Sequence, residues 1–61
     1  MTIEVQRQST GKWLISAGQH AVEVDDTDAA IDAAVTKLAA DSGIPRTRIA
    51  VMVARRQLAD V

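Results

Sequence analysis

The chain has 61 residues, enough for one small domain, and no cysteine, which excludes disulfide bonds and thiolate metal sites. Seven basic and eight acidic residues leave a net charge of -1, which disfavours a nucleic-acid binder that relies on overall positive charge. No apolar run approaches the roughly 18 residues of a membrane span. With neither a span nor a signal-peptide pattern, we expect a single cytoplasmic domain over residues 1–61, stabilised by its core or by self-association.

The first 24 residues predict an antiparallel meander. Polar and apolar residues alternate in three short segments, the pattern of half-buried strands: Thr2–Arg7, Lys12–Ser16 and His20–Val24. Short turns over residues 8–11 and 17–19 join them, so consecutive strands are expected to pair. Trp13 and Ile15 share a face of the second strand. We expect this face to meet a helix, which makes Trp13 a core residue rather than an exposed binding residue.

The pattern then changes to the period of a helix over about residues 27–42. Asp26 or Thr27 can cap its first free N–H groups. One apolar stripe follows at helical spacing and predicts the buried face: Ile31, Ala34, Val35 and Leu38. Gly43 favours termination of the helix, and Pro45 cannot easily continue it.

The segment after Pro45 is harder to assign. Residues 49–54 are all apolar, and β-branched residues alternate with others along Ile49, Ala50, Val51, Met52, Val53 and Ala54. This alternation predicts a strand that is apolar on both faces, with a short helix as the alternative. The predicted fold is therefore an α+β two-layer β-β-β-α-β sandwich with one helix on one sheet face.

A single helix would leave the other sheet face uncovered. In that arrangement the apolar residues of the outer face are Leu14, Ala21, Ala50, Met52 and Ala54. Exposed apolar strips mark interfaces, so these five residues are the predicted contact surface for a homodimer or a protein target. The sequence therefore indicates a protein-interaction module that self-associates through its sheet and blocks a protein target.

Four arginines around the predicted last strand suggest an alternative: Arg46, Arg48, Arg55 and Arg56. Guanidinium groups bind phosphates well, so this cluster could contact an anion or a nucleic acid. RNA-binding sheets, however, usually expose stacking aromatics, and Trp13 is the one aromatic residue of the chain. Solvated or partner-facing charges are the competing interpretation of the four arginines.

No pattern points to catalysis, a metal or a cofactor. His20 is the one histidine, and its spacing from Glu23 and Asp25 fits no metal motif. Helix capping explains the acidic residues near the predicted helix start. The chain also lacks a phosphate-binding loop and a nucleophile elbow, so we expect neither an enzyme nor a cofactor site.

The stretch over about residues 9–40 resembles the N-terminal domain of HicB-type antitoxins. The matching positions are Gly11, Trp13, Asp26, Thr27, Ala30 and Ala34. The resemblance implies an α+β fold, oligomers and protein partners, as in an antitoxin-like inhibitor. The abundance of alanine, valine, aspartate and arginine separately favours a bacterial or phage origin. The family also has a longer loop between its second and third strands and a C-terminal DNA-binding segment. The sequence shows neither, so operator binding is not expected.

Overall fold

The computed structural model describes residues 2–60, which form a three-stranded antiparallel sheet with two helices on one face. The elements, in chain order, are β1 Ile3–Arg7, β2 Trp13–Ala17, β3 His20–Val24, α1 Asp28–Ser42 and α2 Arg46–Ala59. The α+β class and the antiparallel meander are confirmed. Within residues 2–60, no helix has the length and apolar character needed to cross a membrane.

The central strand β2 carries the sheet's contribution to the core. Trp13, Ile15 and Ala17 are almost completely buried on the face that meets the helices. Ile15 lies opposite Val5 of β1 and Val22 of β3, so that one row of β-branched side chains crosses the sheet. The prediction that Trp13 is a core residue is confirmed, since it is 1% exposed.

The helix α1 begins and ends where the sequence predicts. Thr27 is its N-cap, and the Thr27 hydroxyl accepts a hydrogen bond from the Ala30 N–H at 3.2 Å. Gly43 ends the helix in the left-handed region at φ 76°, where its N–H donates to the Ala39 carbonyl. The predicted buried stripe is also confirmed: Ile31, Ala34, Val35 and Leu38.

The predicted last strand is wrong, because the segment after Pro45 forms the helix α2. Val51 is the residue that distinguishes the two structures. A strand places it on the same face as Ile49 and Val53, whereas a helix turns it to the opposite side. Ile49 and Val53 are 0% and 2% exposed, but Val51 is 49% exposed, as a helix requires.

The position of α2 explains why a second helix forms here. α1 packs over β2 and β3, whereas α2 packs over β1 and against α1. Its residues Ile49 and Val53 join the core, to which Ile3 and Val5 of β1 are packed. A fourth strand would have enlarged the sheet and left its helix-facing side half covered, so burial of apolar surface favours the helix.

Candidate interaction surface

The exposed side of α2 has the spacing of a helical contact stripe. Arg48, Val51, Met52 and Arg55 lie at positions i, i+3, i+4 and i+7 and border one shallow depression, together with Pro45 and Thr47 at its end. We call these six residues the α2 outer face. Val51 and Met52 are among the large apolar residues that the fold leaves exposed, and an arginine lies one turn away on each side.

The two arginines of the α2 outer face have free guanidinium groups within the described part of the chain. Neither Arg48 nor Arg55 makes an ion pair or a side-chain hydrogen bond with any of residues 2–60. Four other basic residues are paired with carboxylates: Arg7, Lys12, Lys37 and Arg46. Arg48 and Arg55 are therefore available to an external anionic group.

The four arginines that the sequence groups together divide into different environments. Arg46 pairs with Asp32 and donates from Nε to the Thr36 hydroxyl at 3.1 Å, so it joins α2 to α1. Arg48 and Arg55 share the α2 outer face. Arg56 is exposed and follows Arg55 in the helix, which rotates it by about 100° away from that face. The cluster is therefore not one anion site.

The five predicted interface residues also do not form one surface, because α2 replaces the expected strand. Leu14 and Ala21 lie on the outer face of the sheet, next to Glu23 and Ser16. Ala50 packs against the core, and Ala54 lies beside the groove between α1 and α2. Met52 belongs to the α2 outer face. The predicted strip is wrong as a single surface.

The outer face of the sheet is more polar than the α2 outer face. The alternation of the strands places six side chains there: Glu4, Gln6, Leu14, Ser16, Ala21 and Glu23. Leu14 is the one large apolar residue among them, and it is half-buried between Gln6 and Glu23 on the neighbouring strands. This face therefore offers less apolar contact area to a partner than the sequence suggests.

The carboxylates near the start of α1 have separate partners. Asp26 accepts a hydrogen bond from Trp13 Nε1 at 2.8 Å and lies 3.4 Å from the Arg7 guanidinium, which stacks over the indole ring. Asp25 pairs with Lys12 at 3.7 Å. Among residues 2–60, no three metal-binding side chains come together. These acidic residues orient the tryptophan and the helix start.

The pKa of Asp41, at the other end of α1, is shifted. The hydrogen bond from Lys37 to Asp41, at 2.9 Å, and the lysine's positive charge hold the pKa of Asp41 below its usual range. His20, at the start of β3, adds a weaker effect of the same sign. Asp41 is exposed, so this is a surface ion pair rather than a desolvated acid.

Comparison with protein-family models, with curated proteins and with solved structures found no match. The resemblance to HicB-type antitoxins consequently stays a prediction from the sequence. The sequence does not predict the α2 outer face as a candidate surface, although its residues carry a signal for it. Arg48, Val51, Met52 and Arg55 have helical spacing, but the period-two alternation of residues 49–54 obscures it.

Proposed function

We propose that the chain is a small protein-interaction module that binds a protein target through the α2 outer face. The observation that carries this proposal is the position of Val51 and Met52, exposed between two arginines without partners among residues 2–60. An apolar centre with a charged rim is the usual composition of a protein–protein contact. Binding there would cover part of the target, as an inhibitor or an antitoxin-like regulator does.

The distribution of polar groups supports binding rather than catalysis. Residues 2–60 contain no buried polar or charged side chain. Catalytic groups are usually placed in desolvated sites that shift their pKa, whereas the shift at Asp41 comes from an exposed ion pair. We therefore propose a non-enzymatic role that needs no cofactor.

Self-association through the sheet remains part of the proposal. Leu14 is its apolar contact on the outer face of the sheet, with Ala21 near it on the next strand. Glu4 and Glu23 lie on the same face and would oppose close approach of a second copy at neutral pH. We accordingly expect a weak dimer, and light scattering after size exclusion at two protein concentrations measures it.

Nucleic-acid binding is the second candidate, and a specific observation favours it. Arg48, Arg55 and Arg56 make no ion pair with the described residues and lie on one helix. Phosphate contacts of this kind give an affinity that falls steeply as salt rises. The net charge of -1 and the apolar residues between Arg48 and Arg55 make this candidate weaker than a protein target.

Capture from a host lysate, with and without nuclease, distinguishes the two candidates. The bait variants are Val51→Gln with Met52→Gln on the α2 outer face, and Leu14→Thr on the outer sheet face as the control. We expect the wild type and the control to retain the same protein after nuclease treatment, and the double variant to lose it. Circular dichroism confirms that all three baits are folded.

Two results would contradict the proposal. If nuclease removes the captured material, the nucleic-acid candidate replaces it. If Leu14→Thr loses the captured protein while the double variant keeps it, the outer face of the sheet is the contact surface and the α2 outer face is not.

A further inference from the structure

We infer that the target segment that fits the α2 outer face is an acidic amphipathic helix. This inference rests on the proposed function and specifies the chemistry of the partner at the same surface. The α2 outer face combines two properties, a helical row of apolar side chains and positive charges at both ends of that row. A partner must match both properties to bury Val51 and Met52 without leaving the arginines unpaired.

The spacing of the arginines favours a helical partner. Arg48 and Arg55 are two helical turns apart, which is about 10 Å along the axis of α2. In a second helix that packs along α2, residues i and i+7 are separated by the same distance. Acidic residues at these two positions can therefore each lie beside one arginine. The apolar residues of that helix at i+3 and i+4 would then meet Val51 and Met52.

The same charges disfavour a pair of α2 helices from two copies of the chain. An antiparallel pair centred on Val51 and Met52 would place Arg48 of each copy beside Arg55 of the other. A parallel pair would place each arginine beside its own equivalent. Both arrangements bring like charges together, which is unfavourable at a contact that excludes water.

A membrane surface and a nucleic acid fit the α2 outer face less well. Helices that bind membranes carry a wide apolar face that often includes aromatic residues, whereas α2 exposes three large apolar residues, Val51, Met52 and Leu58, and carries no aromatic residue. A phosphate backbone would pair with the arginines but would leave the apolar residues between them without a contact.

The test measures the binding of synthetic helical peptides of equal length to the full chain. The first peptide carries the stripe Glu-x-x-Leu-Leu-x-x-Glu, the second has Lys in place of both Glu residues, and the third is a scrambled version of the first. Calorimetry gives the affinities, and amide chemical shifts locate the bound peptide. We expect the acidic peptide to bind at least about tenfold more tightly than the other two and to shift the amides of Val51 and Met52.

Adjacent arginines provide a matched pair of variants. Arg55→Glu and Arg56→Glu make the same change in net charge, but Arg55 alone of the two lies on the α2 outer face. We expect Arg55→Glu to lower the affinity for the acidic peptide about tenfold and Arg56→Glu to change this affinity less than threefold. The double variant Arg48→Glu with Arg55→Glu should prefer the lysine peptide. Thermal unfolding checks that each variant is folded.

Several outcomes would overturn the inference. One is equal binding of the acidic and lysine peptides, and another is an equal effect of Arg55→Glu and Arg56→Glu, which would show a response to net charge alone. A wild-type dimer that Arg55→Glu dissociates would assign the surface to a second copy. Binding of duplex DNA or anionic lipid vesicles without the acidic peptide would assign it to those ligands.

The failure of this inference is separate from the failure of the proposed function. If no peptide binds but Val51→Gln with Met52→Gln still abolishes capture of a protein from lysate, the α2 outer face is a protein contact whose partner is not an acidic helix. If the double variant captures the same protein as the wild type, the proposed function itself is wrong.

Discussion

The two helices have similar lengths, but their ends are built differently. α1 has a side-chain cap from Thr27, an acidic residue in its first turn and a left-handed glycine at its end. α2 has Pro45 as its N-cap, without a side-chain hydrogen bond, and has no acidic residue in its first turn. Local signals therefore define both ends of α1, whereas α2 depends more on tertiary packing.

The packing that holds α2 comes from one side of the helix. Ile44 lies just before its N-cap and Ile49 lies in its first turns, and both side chains are buried, as in a hydrophobic staple. Val53 continues the buried side, while Val51 and Met52 remain exposed. A helix held along one side keeps its other side free, which is why the proposed contact surface lies on α2.

Truncation of Ile49 should have the largest effect on stability. Ile49 is 0% exposed, so Ile49→Ala should lower the free energy of unfolding by about 3 kcal/mol. That loss is comparable to the total stability of roughly 3–5 kcal/mol expected for a domain this small. Urea unfolding measures it, and Val51→Ala, at an exposed position of the same helix, should change stability by less than about 0.5 kcal/mol. Equal losses would mean that α2 does not pack as described.

Replacement of Gly43 should have the next largest effect. Gly43→Ala places a side chain at φ 76°, which costs about 1–2 kcal/mol even though nothing lies within 4 Å of the new Cβ atom. Gly43→Asn should cost less, because asparagine adopts left-handed backbone angles more readily. Thermal unfolding of both variants measures these losses of stability. Equal losses for Gly43→Ala and Gly43→Asn would show that the left-handed backbone conformation does not cause the destabilisation.

Removal of the α1 cap should have a smaller effect. Thr27→Ala leaves the Ala30 N–H without its acceptor and should cost about 1 kcal/mol. Thr27→Ser keeps a hydroxyl and should recover most of that loss. Urea unfolding measures both variants. A loss of stability near zero for Thr27→Ala would show that α1, like α2, depends mainly on tertiary packing.

The smallest effect should be a change in pH dependence at the end of α1. Since the pKa of Asp41 in the folded chain lies below its unfolded value, the pair with Lys37 is fully stabilising above the unfolded pKa of about 3.9. That contribution is lost as the pH falls through the lower, folded pKa. Lys37→Gln should therefore raise the pKa of Asp41 toward its usual range, which NMR titration of the carboxyl carbon detects. An unchanged pKa would rule out the lysine as the cause.

The sequence predicts the candidate surface on α2 less completely than it predicts the helix α1. Met52 was expected at an interface, but together with residues of the sheet. For Arg48 and Arg55 the sequence offers an anion site only as the alternative interpretation, in one cluster with Arg46 and Arg56. The structure separates Arg46, because Asp32 and Thr36 of α1 bind its guanidinium group. A contact between residues on different elements has no signature in the local pattern.

The sequence by itself determined the meander and α1. Alternation in the first 24 residues, a threonine cap and a glycine stop are local properties that each favour one structure. Residues 49–54 are different, because Ile49 and Val53 share a face in a strand and in a helix alike. Only the tertiary structure decided between them: the strand β1 and the helix α1 leave an apolar surface that a second helix covers, and this burial turns Val51 outward.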